Sequence, residues 1–383
     1  MKLKKLFQLG AATLLSTSSL MILTIVPARA ATALYWCNTS GGNFNTAANW
    51  NTASDCSSGT QQVPTGGEDL IFDVTGLTAD ETVNNDISSL AVNSISFTGS
   101  NATFKDYTLS GNGITLNGDI SDSTALGRIN LDLTLGANIT VTQTGSNSFS
   151  TIFGDPNSPS TITTQGNSIT FTDASGGGEN GVIVNDALVG NGDLIINKTN
   201  AGVAINGHSP SYSGAVTVTN GILGVNTTDG LGSTSGVTVS GTGTLGLGAG
   251  SGNTFNFPLS LSGPGVSGGS TVTTASTITW GVGGAGSVPA ITFAGPVTLA
   301  SDVTFSGGGD LNITGTFTSN GHSFTTLSGS TGKLTIGAPK AAPKSPDTGF
   351  APVVAHVIPV LVVTVLSAGS LLFISRRIKP TSK

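Results

Sequence analysis

The chain has 383 residues, of which 9% are charged and 55 are glycine. Residues 31–348 contain 20 acidic and six basic residues, a net charge of −14. This balance excludes nucleic acid as a partner, because nucleic-acid binding needs a basic surface, and it excludes electrostatic docking on anionic lipid.

The N-terminal segment, residues 1–30, predicts a signal peptide. Three lysines, at positions 2, 4 and 5, precede a mostly apolar stretch that covers residues 6–26. Ala28-Arg29-Ala30 then supplies the small-x-small pattern that signal peptidase accepts, so we expect cleavage after Ala30. The alternative is an N-terminal membrane anchor, which the polar run at residues 16–19 and the cleavage pattern after it both disfavour.

Residues 31–85 predict an N-terminal capping module. The segments Tyr35-Trp36-Cys37, Asn49-Trp50 and Phe72-Asp73 resemble the opening of many large bacterial surface proteins that are built on β-solenoids. A solenoid exposes the edge of its first coil, and the resemblance implies that this module covers that edge. Trp36 and Trp50 are then expected in the core of the cap rather than on a sugar-binding platform.

Both cysteines of the chain, Cys37 and Cys56, lie in this module and remain after signal cleavage. In an exported protein a disulfide between them is the default expectation. Chain entropy gives a cross-link of this loop size roughly 3 kcal/mol of stability. A metal pair is disfavoured, because the three histidines are at positions 208, 322 and 356.

Residues 86–336 predict a series of short strands, and with them an all-β chain. Apolar residues alternate with Ser, Thr and Asn, which is the period-2 pattern of strands, in runs such as Ser94–Phe97 and Ile139–Val141. The recurrence of these runs argues against disorder. Turns are indicated by seven Asn-Gly pairs, which begin at residues 112, 117, 180, 191, 206, 220 and 320.

One segment of this series carries a recognisable repeat. Residues 190–248 contain Tyr212-Ser213-Gly214, the step Gly221-Ile222-Leu223 and the loop Leu231-Gly232-Ser233, and they are similar to the autotransporter-associated β-strand repeat. The resemblance implies a right-handed parallel β-helix, or β-solenoid. Proteins of that family end in an outer-membrane barrel, whereas this sequence predicts a single C-terminal helix, so the resemblance extends to the stalk alone.

Phenylalanines recur at equal spacing, at positions 293, 305 and 317, which predicts equivalent inward positions on successive strands. Stacked coils would bury such side chains in one continuous core. The alternative architecture is a chain of β-sandwich domains. It is disfavoured because the strands are very short and no linker precedes Gly337.

The solenoid segment offers few groups for catalysis. The cations Lys105, Arg128 and Lys198 each occur in a context typical of turns. Asp119 and Asp122 form the nearest carboxylate pair of the kind that hydrolases need, but their Ser/Gly-rich surroundings indicate a solvated turn. The motifs that end at Asp193 and Asp310 are single copies of a pattern that binds Ca²⁺ in tandem. We therefore predict no catalytic residue, no metal and no cofactor.

The C-terminal region predicts an anchor. A Pro/Ala/Lys linker at residues 337–344 leads to Ser345-Pro346-Asp347-Thr348-Gly349, an apolar segment at 350–374 and a basic tail at 375–383. The apolar segment is long enough for a transmembrane helix, and the basic tail places its end in the cytoplasm.

The order of these elements resembles the cell-wall sorting signal Leu-Pro-x-Thr-Gly of Gram-positive bacteria, with Ser345 in place of leucine. The resemblance implies that a sortase-like transpeptidase attacks the carbonyl of Thr348, releases Gly349 and transfers the acyl group to an amine of the cell-wall precursor. The alternative is a single-span membrane protein that carries Pro346–Gly349 by chance. Both place the protein on the outer face of the bacterial envelope.

The function predicted from these features is that of a surface-displayed stalk or adhesin-like structural protein. It would attach to a host or neighbouring cell, or to a glycan on it, or contribute to envelope architecture. The alternative is a β-helix protein that binds or cleaves polysaccharide.

Overall fold

The computed structural model describes residues 31–100, 105–124, 126–144, 151–173, 181–248, 253–265, 271–275 and 290–337. In these residues the chain is all-β, with a single three-residue 3₁₀ turn at Ala47–Asn49. The described part contains no helix long and apolar enough to span a membrane. The predicted signal peptide, sorting motif, transmembrane helix and basic tail all lie outside the described residues.

The strands form a β-solenoid with three faces, and most coils place a strand on each of them, although no face 3 strand follows β2, β19 or β20. Nearly all pairing is parallel and joins a strand to the equivalent strand of the next coil. Face 1 consists of β1 Ala33–Trp36, β4 Asp69–Asp73, β7 Ser94–Thr98, β10 Ile120–Asp122, β13 Ile139–Gln143, β16 Ile169–Asp173, β23 Leu259–Leu261, β26 Val297–Leu299 and β29 Phe317–Thr318.

Face 2 follows face 1 along the chain in every coil. It consists of β2 Gly42–Asn43, β5 Glu81–Asn85, β8 Tyr107–Gly111, β11 Arg128–Ile129, β14 Thr151–Phe153, β17 Val182–Val184, β24 Val272–Ala275, β27 Val303–Gly307 and β30 Phe324–Thr326. Three long strands run through the corner and belong to both faces: β19 Leu194–Ile205, β20 Ala215–Val225 and β21 Gly236–Gly248.

Face 3 is a shorter sheet in two parts. The first part is β6 Leu90–Val92, β9 Ile114–Leu116, β12 Leu133–Leu135, β15 Thr161–Thr163 and β18 Ala187–Val189, and the second is β22 Thr254–Phe255, β25 Ile291–Phe293, β28 Leu311–Ile313 and β31 Leu334–Ile336. One strand departs from the parallel rule: β3 Trp50–Asn51 pairs antiparallel with β1.

The core is a set of columns of stacked apolar side chains. Every second residue of a strand points inward, and the registers place these residues above one another. On face 1 one buried column consists of Leu34, Leu70, Ile95, Ile120, Val141, Phe171, Ile196, Val218, Val239, Leu261 and Leu299. Each such side chain contributes roughly 1.5–3 kcal/mol by leaving water, so the repeating column stabilises the stack of coils.

The three equally spaced phenylalanines lie on every second strand, β25, β27 and β29, and not on successive strands as predicted, and they are on three different faces. Phe293 is on face 3, Phe305 on face 2 and Phe317 on face 1. The first two are fully buried, whereas Phe317 is half-buried. Their spacing is shorter than one coil, because paired residues such as Val297 and Phe317 lie further apart along the chain. The three rings therefore do not stack directly.

The predicted capping module shares the ladder of the solenoid. Strand β1 pairs in parallel with β4, and β2 with β5, so the parallel stack begins before residue 86. Trp36 and Trp50 are buried, which confirms that they are core residues. Their rings meet edge to face with centroids 5.0 Å apart, and the cluster is completed by Phe44 and Phe72. We call these four residues the aromatic cluster.

A disulfide joins Cys37 and Cys56 beside this cluster, with the two Cα atoms 5.6 Å apart. The disulfide ties the end of β1 to the loop after β3. It joins the two cysteines that the sequence predicts to pair.

Candidate functional site

Surface aspartates form a recurring link between coils. In each case a carboxylate oxygen accepts a hydrogen bond from a backbone N–H of the next coil, at 2.7 to 3.0 Å. The pairs are Asp119 with Thr140, Asp132 with Thr161, Asp173 with Thr199, Asp193 with Ala215, Asp302 with Ser323 and Asp310 with Lys333. Charge-assisted bonds of this kind satisfy N–H groups at or near the starts of strands, except for Thr199, which lies within β19.

These links explain several acidic residues that the sequence singles out. Asp193 and Asp310 end the two motifs that resemble Ca²⁺-binding repeats, and each bonds to the next coil. Within the described residues, no three His, Cys, Asp or Glu side chains come together as a metal site would require. Asp119 is likewise an inter-coil link, with its Oδ1 2.7 Å from the Thr140 nitrogen.

Asp122 is not in the solvated turn that the sequence predicts. It is the last residue of β10, only 3% exposed, and points into the corner between faces 1 and 2. Its Oδ1 accepts hydrogen bonds from the backbone N–H and hydroxyl of Thr124, and its Oδ2 from Thr151. Burial raises the pKa of Asp122 above its usual value, and Thr124 opposes that shift. Asp119 and Asp122 therefore do not form a catalytic pair.

Lys198 also departs from the prediction of a turn. It lies inside β19 and is fully buried. Its Nζ donates to Oε1 of Gln143 at 2.7 Å and to the carbonyl of Thr172 at 3.3 Å. Burial lowers the pKa of Lys198 to about 8, and nearby Asp173 acts in the opposite direction.

Gln143 connects the buried lysine to the buried aspartate. Its Nε2 donates to Oγ1 of Thr151 at 3.1 Å and to the carbonyl of Gly181 at 2.7 Å, while Thr151 donates to Asp122 at 2.9 Å. A continuous chain of hydrogen bonds thus runs from Lys198 through Gln143 and Thr151 to Asp122. We call these four residues the polar corner.

A simple signal in the sequence identifies the polar corner. Lys198 follows Leu194 and Ile196 at intervals of two, and Gln143 follows Ile139 and Val141 in the same way. Residues two apart on a strand share a face, so continuing the apolar alternation places the polar residues inward. The residues around Lys198 have a composition typical of turns, and the sequence analysis therefore predicts a turn there instead of an inward position on a strand.

Face 2 carries a shallow groove on its outer surface, with a volume of about 480 Å³. Its floor is a row of outward residues that the registers align: Thr108, Arg128, Ile152 and Ile183. Its rim is formed by the turns after face 2, and it is lined there by Asn130, Gly154, Asp155, Pro156, Asn185 and Asn206.

The groove combines one cation with amide and aliphatic groups. Arg128 is exposed and forms no ion pair with any residue that the structure describes. Lys105, by contrast, pairs with Asp80 at 3.4 Å. The rim is held in place by an asparagine ladder, in which Asn226 donates to Asn206 at 2.7 Å and Asn206 donates to Asn185 at 3.0 Å. A fixed row of amides beside a guanidinium suits a hydroxyl-rich or anionic ligand.

Comparisons of this chain with protein-family models, with curated proteins and with solved structures found no match.

Proposed function

We propose that the protein is a surface-displayed structural stalk with an adhesin-like role. The observation that carries this proposal is the commitment of its surface carboxylates to joining coils, as Asp119, Asp193 and Asp310 do. Side chains that would otherwise serve chemistry are used to stabilise the stack. Together with the continuous apolar columns, this favours a rod whose role depends on its length and its polar outer surface.

Export and anchoring belong to the same proposal and rest on the sequence. Signal cleavage after Ala30, the motif Ser345–Gly349 and the apolar segment 350–374 support a stalk held at the envelope by a C-terminal transmembrane helix or by sortase transfer at Thr348. A right-handed coil is part of the proposal as well, since crossovers between parallel strands of one sheet are nearly always right-handed.

The anchoring state is the first test. Isolated envelopes are digested with a muramidase, and the C-terminal peptide of the released protein is sequenced. A peptide that ends at Thr348 and carries a wall fragment is the expected result. An intact C-terminus through Lys383, extracted with detergent alone, would replace wall attachment by a membrane tether.

The groove on face 2 favours a second candidate function, which is glycan binding. Hydroxyl groups of a sugar would meet Arg128 and the asparagine ladder, while its C–H faces would meet Ile152, Ile183 and Pro156. Asp155 is the single carboxylate among the described lining residues, whereas glycoside hydrolysis requires a pair. The groove therefore favours binding over cleavage.

The test of glycan binding is an array of polysaccharides, probed with the purified protein and with Arg128→Ala. Loss of the guanidinium is expected to weaken binding about tenfold or more, since a charged hydrogen bond contributes about 1.5–3 kcal/mol. Thr238→Ala, which removes an exposed side chain from face 1, is the matched control and should bind normally. Equal binding by all three proteins would remove the groove from consideration, and release of reducing sugar would show an enzyme.

A further inference from the structure

The polar corner brings an amine and a carboxamide into contact in a place that water does not reach. Lys198 is fully buried, and its Nζ is 2.7 Å from Oε1 of the Gln143 side chain. Gln143 is itself 3% exposed. Burial makes the cationic form of Lys198 costly even with Asp173 nearby, so a reaction that removes its charge relieves that cost.

We propose that Lys198 and Gln143 form an intramolecular isopeptide bond by their own chemistry. Nζ of Lys198 attacks Cδ of Gln143 and forms a new Cδ–Nζ bond. The Cδ–Nε2 bond breaks, and its electron pair leaves with Nε2 as ammonia. The product is a secondary amide that links β19 to β13, and no oxidant or external reagent is consumed.

The contacts of Gln143 hold its amide in place for this step. Its Nε2 donates to the carbonyl of Gly181 at 2.7 Å and to Thr151 at 3.1 Å, and Lys198 also donates to the carbonyl of Thr172. Both reacting groups are therefore fixed by partners other than each other. Fixing two reactants in contact replaces a bimolecular encounter and provides a large part of the rate enhancement.

Asp122 is placed to supply the proton that the leaving nitrogen needs. Its Oδ2 is 2.9 Å from Oγ1 of Thr151, which in turn is 3.1 Å from Nε2 of Gln143. Once Nζ has added to Cδ, the lone pair of Nε2 is no longer shared with the carbonyl. The hydroxyl of Thr151 then donates its proton to Nε2 and takes a proton from Asp122, which reverses the direction of both hydrogen bonds in the structure. The product amide keeps one of the two hydrogens of Nζ, and the other balances the hydrogen that leaves with ammonia, so Asp122 is unchanged in the net reaction.

The protonation states required for this path agree with the environment. Burial raises the pKa of Asp122, which favours the protonated acid, and lowers the pKa of Lys198 to about 8, which favours the neutral amine. A desolvated lysine is the form of this side chain that acts as a nucleophile. General acid catalysis by a positioned carboxyl group is the usual means of expelling a poor leaving group.

Trypsin digestion and mass spectrometry of the full chain test this proposal. Trypsin cannot cleave after a lysine whose Nζ is acylated, so the bond merges two peptides into one that covers residues 129–333. We expect this peptide, lighter by one ammonia than its sequence, with fragment ions that join Gln143 to Lys198. Separate peptides 129–198 and 199–333, at their sequence masses, would overturn the proposal.

Three variants separate the bond from other events. Lys198→Arg keeps a cation and a trypsin site but cannot form the same amide, so it should be cleaved at position 198 and keep its ammonia. Asp122→Asn removes the acid and should slow bond formation at least tenfold in a time course after refolding. Lys105→Met changes a surface lysine and should leave the bond intact.

Loss of ammonia also accompanies succinimide formation at Asn-Gly sites, but that reaction leaves Lys198 open to trypsin. Ammonia loss together with cleavage at Lys198 would therefore contradict the isopeptide bond. If Lys198→Arg fails to fold, the fragment spectrum of the unmodified chain is sufficient by itself. Fragment ions that join Gln143 to Lys198 are present if the bond forms and absent if it does not.

Discussion

The aromatic cluster at the N-terminal end and the polar corner in the middle coils are both fully buried, yet they are stabilised in opposite ways. In the first, four aromatic rings pack against one another and a disulfide joins Cys37 to Cys56. In the second, a chain of hydrogen bonds runs from Lys198 to Asp122. One region depends on apolar area and a covalent link, and the other on the partners of each polar atom.

The comparison shows what each position in a solenoid demands. Among the described residues no coil precedes β1, and in this coil bulky rings and a cross-link provide contacts of the kind that a preceding coil provides elsewhere. The middle coils have neighbours on both sides and can hold polar groups, provided that each is satisfied. We expect the N-terminal end to respond strongly to loss of volume, and the polar corner to respond to loss of partners and to pH.

The largest effect is expected when the aromatic cluster loses a ring. Trp50→Ala should lower the free energy of unfolding by about 3–5 kcal/mol, because it removes a fully buried side chain and leaves a cavity. Urea denaturation followed by circular dichroism measures the change. Tyr35→Ala, which removes a half-buried aromatic from β1 in the same coil, is the control and should cost much less. Equal losses would mean that the cluster is not a special support.

The disulfide provides the next effect. Replacing both Cys37 and Cys56 by alanine should lower the free energy of unfolding by about 3 kcal/mol, because the closed loop restricts the unfolded chain. The same denaturation experiment is repeated with and without reductant. Reductant should destabilise the unmodified protein and leave the double variant unchanged. A reductant effect on both would point to a different cause.

The polar corner is sensitive to added volume as well as to lost partners. A Cβ at Gly127 would lie 2.6 Å from Oδ2 of Asp122 and 2.7 Å from the ring of Phe97. Gly127→Ala should therefore cost about 1–3 kcal/mol, as overpacking of a dense core does. Gly236→Ala is the matched control, because its nearest neighbours would be 3.7 Å away. A neutral Gly127→Ala would show that the corner can expand.

Much of the architecture could be predicted from the sequence, because an alternating pattern states directly which residues face inward. Ser94–Phe97 and Ile139–Val141 lie in strands β7 and β13 as predicted. Strands β19 to β21 are longer than the short runs that the sequence predicts within them, and in β20 the reason is that Asn220-Gly221 is typical of a tight turn. The structure uses it as an irregularity within β20, where Gly221 has a φ of 79° and the strand passes the corner without ending.

The site was harder to predict than the fold. The polar corner joins residues as far apart as Gln143 and Lys198, which are separated by 55 positions. Such a contact depends on the length of each coil, and coil length varies. Val297 pairs with Phe317, whereas Leu261 pairs with Leu299, which is almost twice as far along the chain. Alternation indicates that a side chain points inward, but it does not say which side chain of another coil it will meet.

The smallest effect concerns pH, and it comes from a carboxyl group that belongs to neither region. Asp186 is fully buried at the corner between faces 2 and 3. Its Oδ1 accepts a hydrogen bond from the Ser160 nitrogen at 2.7 Å, and its Oδ2 has no partner among the described residues. Burial, with the charge of Asp132 nearby, raises the pKa of Asp186 from 3.8 to about 7. Between these two values the folded state keeps the proton that the unfolded state has lost. The free energy of unfolding must therefore fall as pH rises through this window.

Asp186→Asn should remove part of that fall, on the order of 1 kcal/mol after allowance for relaxation around the charge. Urea denaturation at pH values from 4 to 8 and constant ionic strength measures it. Asp106, whose pKa burial raises to about 6, acts in the same direction and will keep some slope in the variant. An unchanged slope in Asp186→Asn would mean that water reaches this carboxyl group. The aromatic cluster contains no titrating group, so the cost of Trp50→Ala should be the same at both ends of the pH range.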